Sequence, residues 1–239
     1  MRGAQRQAER ALRYREFVDL MKREPGNRRT RARYNEPDGV LRCNCTWFDC
    51  IDFCNRLSER EGLVPAYSVV GLKATLNPRA TGYRLPTKAE WEFACRAGTT
   101  SLWYFGMTAQ QAQVRYVRNF VQAEDEFRGR TGVANAFGLT AMYGGSAERC
   151  WDRYDPVYYQ ECARRGVTVD PQGPNAGERR VGRGGSDFGD GGGDMSTLNT
   201  AARLLIHPVT PFAMQGYGRL VLPVTAMGHA RPVAGVRSE

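Results

Sequence analysis

The chain has 239 residues, 41% of them hydrophobic, with 27 glycines and a formal charge of +9. That length suits one large domain or two small ones, with enough apolar content for a folded core and enough glycine for many loops. No apolar run is long enough for a membrane-spanning helix. The positive charge is interleaved with acidic residues rather than gathered in a block, so no specific nucleic-acid partner is expected.

Residues 1–45 read as a basic N-terminal helix and loop, part of the following domain or leading into it. Leu12, Phe17, Val18, Leu20 and Met21 give an apolar face to a helix over 5–23. Met1 to Arg15 is basic and lacks the apolar core of a secretory signal. As written the chain reads as cytoplasmic, with surface display or export left open. Residues 24–40 are polar and turn-rich, hence a loop.

Thr46 is placed to cap a second helix through about Glu61, with Phe48, Ile51, Phe53, Cys54 and Leu57 as its core stripe. Cys43, Cys45, Cys50 and Cys54 are not spaced as a metal cluster and have no histidine nearby, so buried thiol packing is expected. Tyr67–Val70 and Ala74–Leu76 read as short strands around Gly71. Thr87, followed by Glu90, has capping-box spacing and opens a third helix over 88–97, with Trp91, Ala94 and Cys95 inward and Gly98 closing it. Beyond residue 100 the pattern breaks into short apolar pieces and turns, which predicts little regular structure there. Helices first, then a small antiparallel sheet with long loops, is an α+β arrangement.

Several pieces stand in a telling order. They are Thr46-Trp-Phe-Asp49, Gly82-Tyr-Arg-Leu-Pro-Thr87 through Glu90-Trp-Glu92, Asn135-Ala-Phe-Gly-Leu139, Trp151-Asp152, Arg183-Gly-Gly-Ser186, Ala201-Ala-Arg203, Pro208 and Gly216-Tyr-Gly-Arg219. In this order they resemble the formylglycine-generating-enzyme (sulfatase-modifying factor) family over about residues 46–222, leaving 223–239 as a C-terminal tail. The resemblance implies a loop-rich C-type-lectin-like fold. Read as residues, Arg84, Arg183 and Arg203 are expected to pair internally with carboxylates or carbonyls.

The departures bear on chemistry. Oxidase members of the family keep a cysteine pair shortly after Arg-Gly-Gly-Ser; here no cysteine follows Cys162. A copper site needs soft thiolates, so that chemistry is not expected. After Leu139 the family reads Met-His-Gly-Asn-x-Trp-Glu-Trp, whereas Gly145, Ala147 and Arg149 replace the asparagine and both tryptophans here. Losing that asparagine removes an oxygen ligand and argues against a calcium site. Losing two aromatic anchors should cost about 3–5 kcal/mol per buried ring unless the core repacks. No cofactor is therefore expected. His207, a lone histidine beside Pro208, reads as a loop or pocket residue rather than a metal ligand. Gly182–Gly193 lacks the lysine ending of a phosphate loop, and Asp187, Asp190 and Asp194 lack EF-hand spacing.

These residues point to a non-catalytic binding domain with residues 187–217 as its surface. Candidate contacts are Asp187, Phe188, Asp190, Asp194, Leu204, His207, Val209, Phe212 and Tyr217, facing a protein or other macromolecule. The competing reading of the apolar members is core. Variable proteins of diversity-generating retroelements use the same branch of the fold and carry their hypervariable segment at the corresponding place. The alternative function is an oxygen-dependent sulfatase-modifying enzyme of the same family.

Overall fold

The computed structural model describes residues 12, 14–24, 45–106, 134–139, 142–143, 147–166, 168–184, 203–206 and 208. Its elements run α1 (Tyr14–Met21), α2 (Trp47–Arg60), β1 (Tyr67–Val70), β2 (Lys73–Leu76), α3 (Lys88–Arg96), β3 (Glu148–Arg153), α4 (Tyr158–Arg164), β4 (Arg180–Arg183) and β5 (Leu204–Ile206). The fold is α+β, with two small antiparallel sheets, β1-β2 and β3-β4-β5.

Both central helices begin where the sequence places them, and for the same reason. The Thr46 hydroxyl accepts the Asp49 N–H while the Asp49 carboxylate accepts the Thr46 N–H, and Thr87 and Glu90 repeat this exchange on α3. Each box satisfies two otherwise orphaned helix donors. α2 buries Trp47, Cys50, Ile51, Phe53, Cys54 and Leu57, so its two cysteines are core residues. α1 packs on it by stacking Phe17 on Phe53, with ring centroids 5.8 Å apart. α1 ends at Met21 rather than 23, and Lys22 turns left-handed (φ 54°). α3 likewise stops at Arg96; its left-handed cap is Ala97 (φ 46°), one residue before the expected Gly98.

The hairpin matches its expected strands, β2 starting one residue earlier, with Tyr67 opposite Leu76. Asn55 on α2 pins it by holding both the N–H and the carbonyl of Tyr67 (3.0 and 2.8 Å). The approach to α3 requires glycine at 82. A Cβ there would lie 2.2 Å from Ser58 Oγ, and that hydroxyl is already fixed between the Cys54 carbonyl and the Tyr83 N–H.

Beyond residue 100 the regular elements among the described residues are short, β3, α4, β4 and β5, in keeping with the expected small antiparallel sheet and long loops. β3 is dense in charge (Glu-Arg-Cys-Trp-Asp-Arg), yet it is buried on both faces, because its charged residues find partners inside. β3 and β4 form the middle layer of the domain. Cys150 and Val181 join Trp91, Cys95, Trp103, Met142 and Tyr143 in one core on the α3 side. On the opposite face Trp151 packs against the larger core of α1, α2 and the hairpin. Alternating strand residues serve the two sides in turn.

The replaced tryptophan position is occupied by a buried guanidinium, that of Arg149, which donates to the Cys45 carbonyl. Trp47 crosses from α2 to this layer, its indole N–H donating to the Cys150 carbonyl at 2.9 Å and its backbone N–H to the Pro208 carbonyl at 3.1 Å.

Candidate functional site

The candidate surface, residues 187–217, begins in the connection between β4 and β5 and continues through and past β5. Asp187, Phe188, Asp190, Asp194, His207, Val209, Phe212 and Tyr217 lie outside the described residues. Leu204 is described through its backbone, which pairs with Gly182 in the β4–β5 ladder. Its neighbour Leu205, opposite Val181, is 46% exposed on this strand. What the structure describes is therefore the strand from which the segment leaves, β4, and the strand that runs through it, β5.

The root of the segment is polar and buried. Arg183, the last residue of β4, is fully buried. Its guanidinium lies 2.9 Å from Glu92 of α3 and 4.6 Å from the Trp91 ring centre. Glu92 also meets Lys88 at 3.3 Å and Arg96 at 3.0 Å. Burial works to raise the Glu92 pKa, but the surrounding cations Lys88, Arg183 and Arg96 outweigh it and hold the carboxyl below its usual range. Burial also lowers the Arg183 and Lys88 pKa values against the pull of Glu92. Opposite Arg183 in the ladder stands Glu148, which accepts the Trp91 indole N–H.

Immediately after Arg183, Gly184 adopts φ +85°, and a Cβ there would sit 3.0 Å from the Met142 carbonyl and 3.5 Å from the Trp91 ring. Glycine is needed at this exit on both counts.

A second knot adjoins the first. Asp152 of β3 is fully buried and accepts the Lys88 N–H at 2.6 Å and the Tyr159 hydroxyl at 2.5 Å. The Lys88 ammonium lies 3.9 Å from the centre of the same tyrosine ring. Burial raises the Asp152 pKa, and these hydrogen bonds offset it only in part. α4 buries no side chain of its own, so Tyr159 is its anchor to the body.

At the re-entry point, Arg203 lies 5.7 Å from the Tyr154 ring centre. Arg84 forks onto Glu90 at 2.6 and 2.7 Å. The arginines expected to act as internal ties do so at 84 and 183. Sequence reasoning missed Lys88 with Glu92 and Asp152 with Tyr159. The i,i+4 spacing of the first pair was readable; the second joins residues that no local pattern connects.

Glu148 is engaged by Trp91 and faces Arg183, a cation where calcium would need ligands. Among the described residues, no three His, Cys, Asp or Glu side chains converge as a metal site. The thiols of Cys50, Cys54 and Cys150 are driven well above their ordinary pKa by burial, and that of Cys95 to about 12. Such thiols are poor nucleophiles and poor soft-metal ligands. Among the described residues no helix is long and apolar enough to cross a membrane.

Comparison with known proteins agrees with this geometry. The chaperone protein LppX of Paenibacillus barcinonensis is 30% identical over 140 residues, 45% of this chain and 50% of that protein. The formylglycine-generating enzyme of Streptomyces coelicolor is 37% identical over 134 residues, 51% of this chain and 41% of that protein. The chain thus spans half or less of these curated relatives. Among solved structures, Treponema denticola variable protein 1 superposes with a TM-score of 0.66 at 26% identity, covering 87% of this chain and 80% of that one. PvdO from Pseudomonas aeruginosa shares the fold at TM-score 0.56 and 15% identity, over 88% of this chain and 76% of that one. The profile of the sulfatase-modifying factor enzyme 1-like domain matches residues 8–222, from ahead of α1 to beyond β5, and the chain belongs to that family.

Proposed function

We propose that this chain is a non-catalytic binding domain that presents residues 187–217 to a protein or other macromolecular ligand. The observation that carries the reading is the buried Arg183–Glu92 tie at the root of the segment. It fixes a departure point in a chain with no cysteine after Cys162. A fixed root lowers the ordering cost of binding for the side chains presented beyond it. Asp187, Phe188, Asp190, Asp194, Leu204, His207, Val209, Phe212 and Tyr217 are the proposed contacts, with exposed Leu205 added to them. No cofactor takes part in this reading. A lectin-like scaffold of this kind serves the role, and the similarity to Treponema denticola variable protein 1 supports the sharper form, in which the segment is diversified by a retroelement.

The second reading is an oxygen-dependent sulfatase-modifying enzyme, favoured by the 37% identity to the Streptomyces coelicolor protein. The missing thiols weigh against it. Sequencing the gene's neighbourhood separates the two. A reverse-transcriptase gene and a near-copy of codons 187–217 differing chiefly at adenines supports the diversified surface. A neighbouring sulfatase gene with no near-copy turns the reading to the enzyme.

A further inference from the structure

Of the three arginines whose residue type predicts an internal tie, Arg203 meets no carboxylate among the described residues. Its one described contact is the Tyr154 ring, 5.7 Å from the ring centre. The ladder adds a repulsion. Gly182 pairs with Leu204, so one further step of the same antiparallel register sets Arg203 opposite Arg183. Like charges directly opposed across strands destabilise each other.

Register also fixes the face. Val181, opposite Leu205, belongs to the core on the α3 side. Alternation puts Arg183, Arg203 and Leu205 on that same face, where Tyr154 packs as well. Leu205 is 46% exposed, so the face is open to solvent at β5.

The charge there is unbalanced. Glu92 is already shared by Lys88, Arg96 and Arg183, at 3.3, 3.0 and 2.9 Å. Asp152 is held by the Lys88 N–H and the Tyr159 hydroxyl. Burial lowers the pKa of Arg183 and of Lys88, and the charge of Arg203 adds to the lowering of both. Arg203 is thus a further cation within electrostatic reach of two that already share their carboxylate.

An anion arriving at this face completes the set. A guanidinium takes a carboxylate through two parallel hydrogen bonds, and Leu205 offers apolar contact on the same face. A nucleic-acid strand calls for a stripe of cations along its backbone, whereas here the positive charge is one spot with Glu92 in its midst.

Resting on the reading of residues 187–217 as a binding surface, we propose that Arg203, backed by the charge of Lys88 and Arg183, receives an acidic side chain from a protein partner. The probe is a labelled oligo-glutamate peptide, followed by fluorescence anisotropy with the full chain at physiological salt. Arg203→Gln should weaken binding about tenfold with little change in melting midpoint, as for loss of one charge-assisted hydrogen-bonding group. Arg79→Gln, which removes the same charge from an exposed site after β2, should leave binding unchanged. Should Arg203→Gln not fold, phenylglyoxal labelling of the wild type decides: Arg203 should react in the free protein and be protected by the peptide. Equal losses in the two variants, or no loss at Arg203, overturn the proposal. So does an Arg203 that resists phenylglyoxal in the free protein, which would mean that the chain itself already pairs it. Tighter binding of an oligothymidylate through the same arginine overturns it in favour of nucleic acid. The gene neighbourhood tests the binding-surface reading without reference to Arg203, so the two can fail separately.

Discussion

Glu92 and Arg183 meet at 2.9 Å across the junction of α3 and β4, and the arginine of the pair is fully buried. Glu92→Ala leaves that guanidinium without its carboxylate and is expected to destabilise the domain by about 2–4 kcal/mol. Urea unfolding at neutral pH measures this. A loss below about 0.5 kcal/mol would show that the pair contributes little to folding.

Half-buried Glu92 and buried Asp152 should respond to pH in opposite directions. The Glu92 pKa is held below its ordinary value of 4.5, so its stabilisation is complete above that value and is lost as pH falls through the folded pKa. The Asp152 pKa is raised above 3.8, so its contribution is complete below that value and fades as pH rises through the folded pKa. Asp152→Asn should therefore gain on the wild type as pH increases from about 4 to 7, ending within about 1 kcal/mol of it. Asp152→Ala leaves the Tyr159 hydroxyl and the Lys88 N–H unpaired and should cost about 2–3 kcal/mol. Stability profiles of the three proteins across that range test both signs.

Gly82→Ala should be poorly tolerated. Its Cβ would fall 2.2 Å from Ser58 Oγ and 2.8 Å from the Val64 carbonyl, and neither atom is at the end of a flexible chain. A loss of about 1–3 kcal/mol is expected, as for other overpacked sites. Thr87→Ala, which removes only a cap, should cost about 1 kcal/mol. Thermal melting should rank the glycine change as the more damaging of the two.

No formylglycine should form on a cysteine-containing sulfatase peptide when the protein is supplied with copper and oxygen. The motivation is the absence of cysteine after residue 162. Peptide mass spectrometry reads the result directly, and conversion above a metal-free control would refute both this expectation and the binding-domain reading.

Alkylation separates the thiols. Among the described cysteines, Cys162 on α4 is partly accessible, while Cys45, Cys50, Cys54, Cys95 and Cys150 are buried. Iodoacetamide should modify Cys162 in the native protein and the five buried thiols only after denaturation. Rapid native labelling of Cys50 or Cys54 would contradict the packing of α2.

The elements legible in the sequence are those whose signals are local. Thr46 with Asp49 and Thr87 with Glu90 announce two helix starts within four residues each, and Gly71 marks the hairpin. β3 was hidden because Glu148, Arg149 and Asp152 look like solvent residues. They are buried through Trp91, Cys45 and Lys88, partners far away in the chain, with Tyr159 seven residues on from Asp152 completing the set. α4 was hidden for the opposite reason, having no buried stripe to give it a helical period. At the candidate site, the ties of Arg84 and Arg183 followed from residue type. The Asp152 knot did not, since only the folded chain brings β3, α3 and α4 together.

The ladder pairing of Gly182 with Leu204 joins the two ends of the intervening chain through neighbouring antiparallel strands. Such a connection closes whatever number of residues it contains, and doubling its length adds only about 0.6 kcal/mol of closure entropy. In closure entropy the scaffold is thus nearly indifferent to insertion and deletion between these two strands. Homologues can differ here in the span of surface they present as well as in its chemistry, while keeping the rest of the domain unchanged.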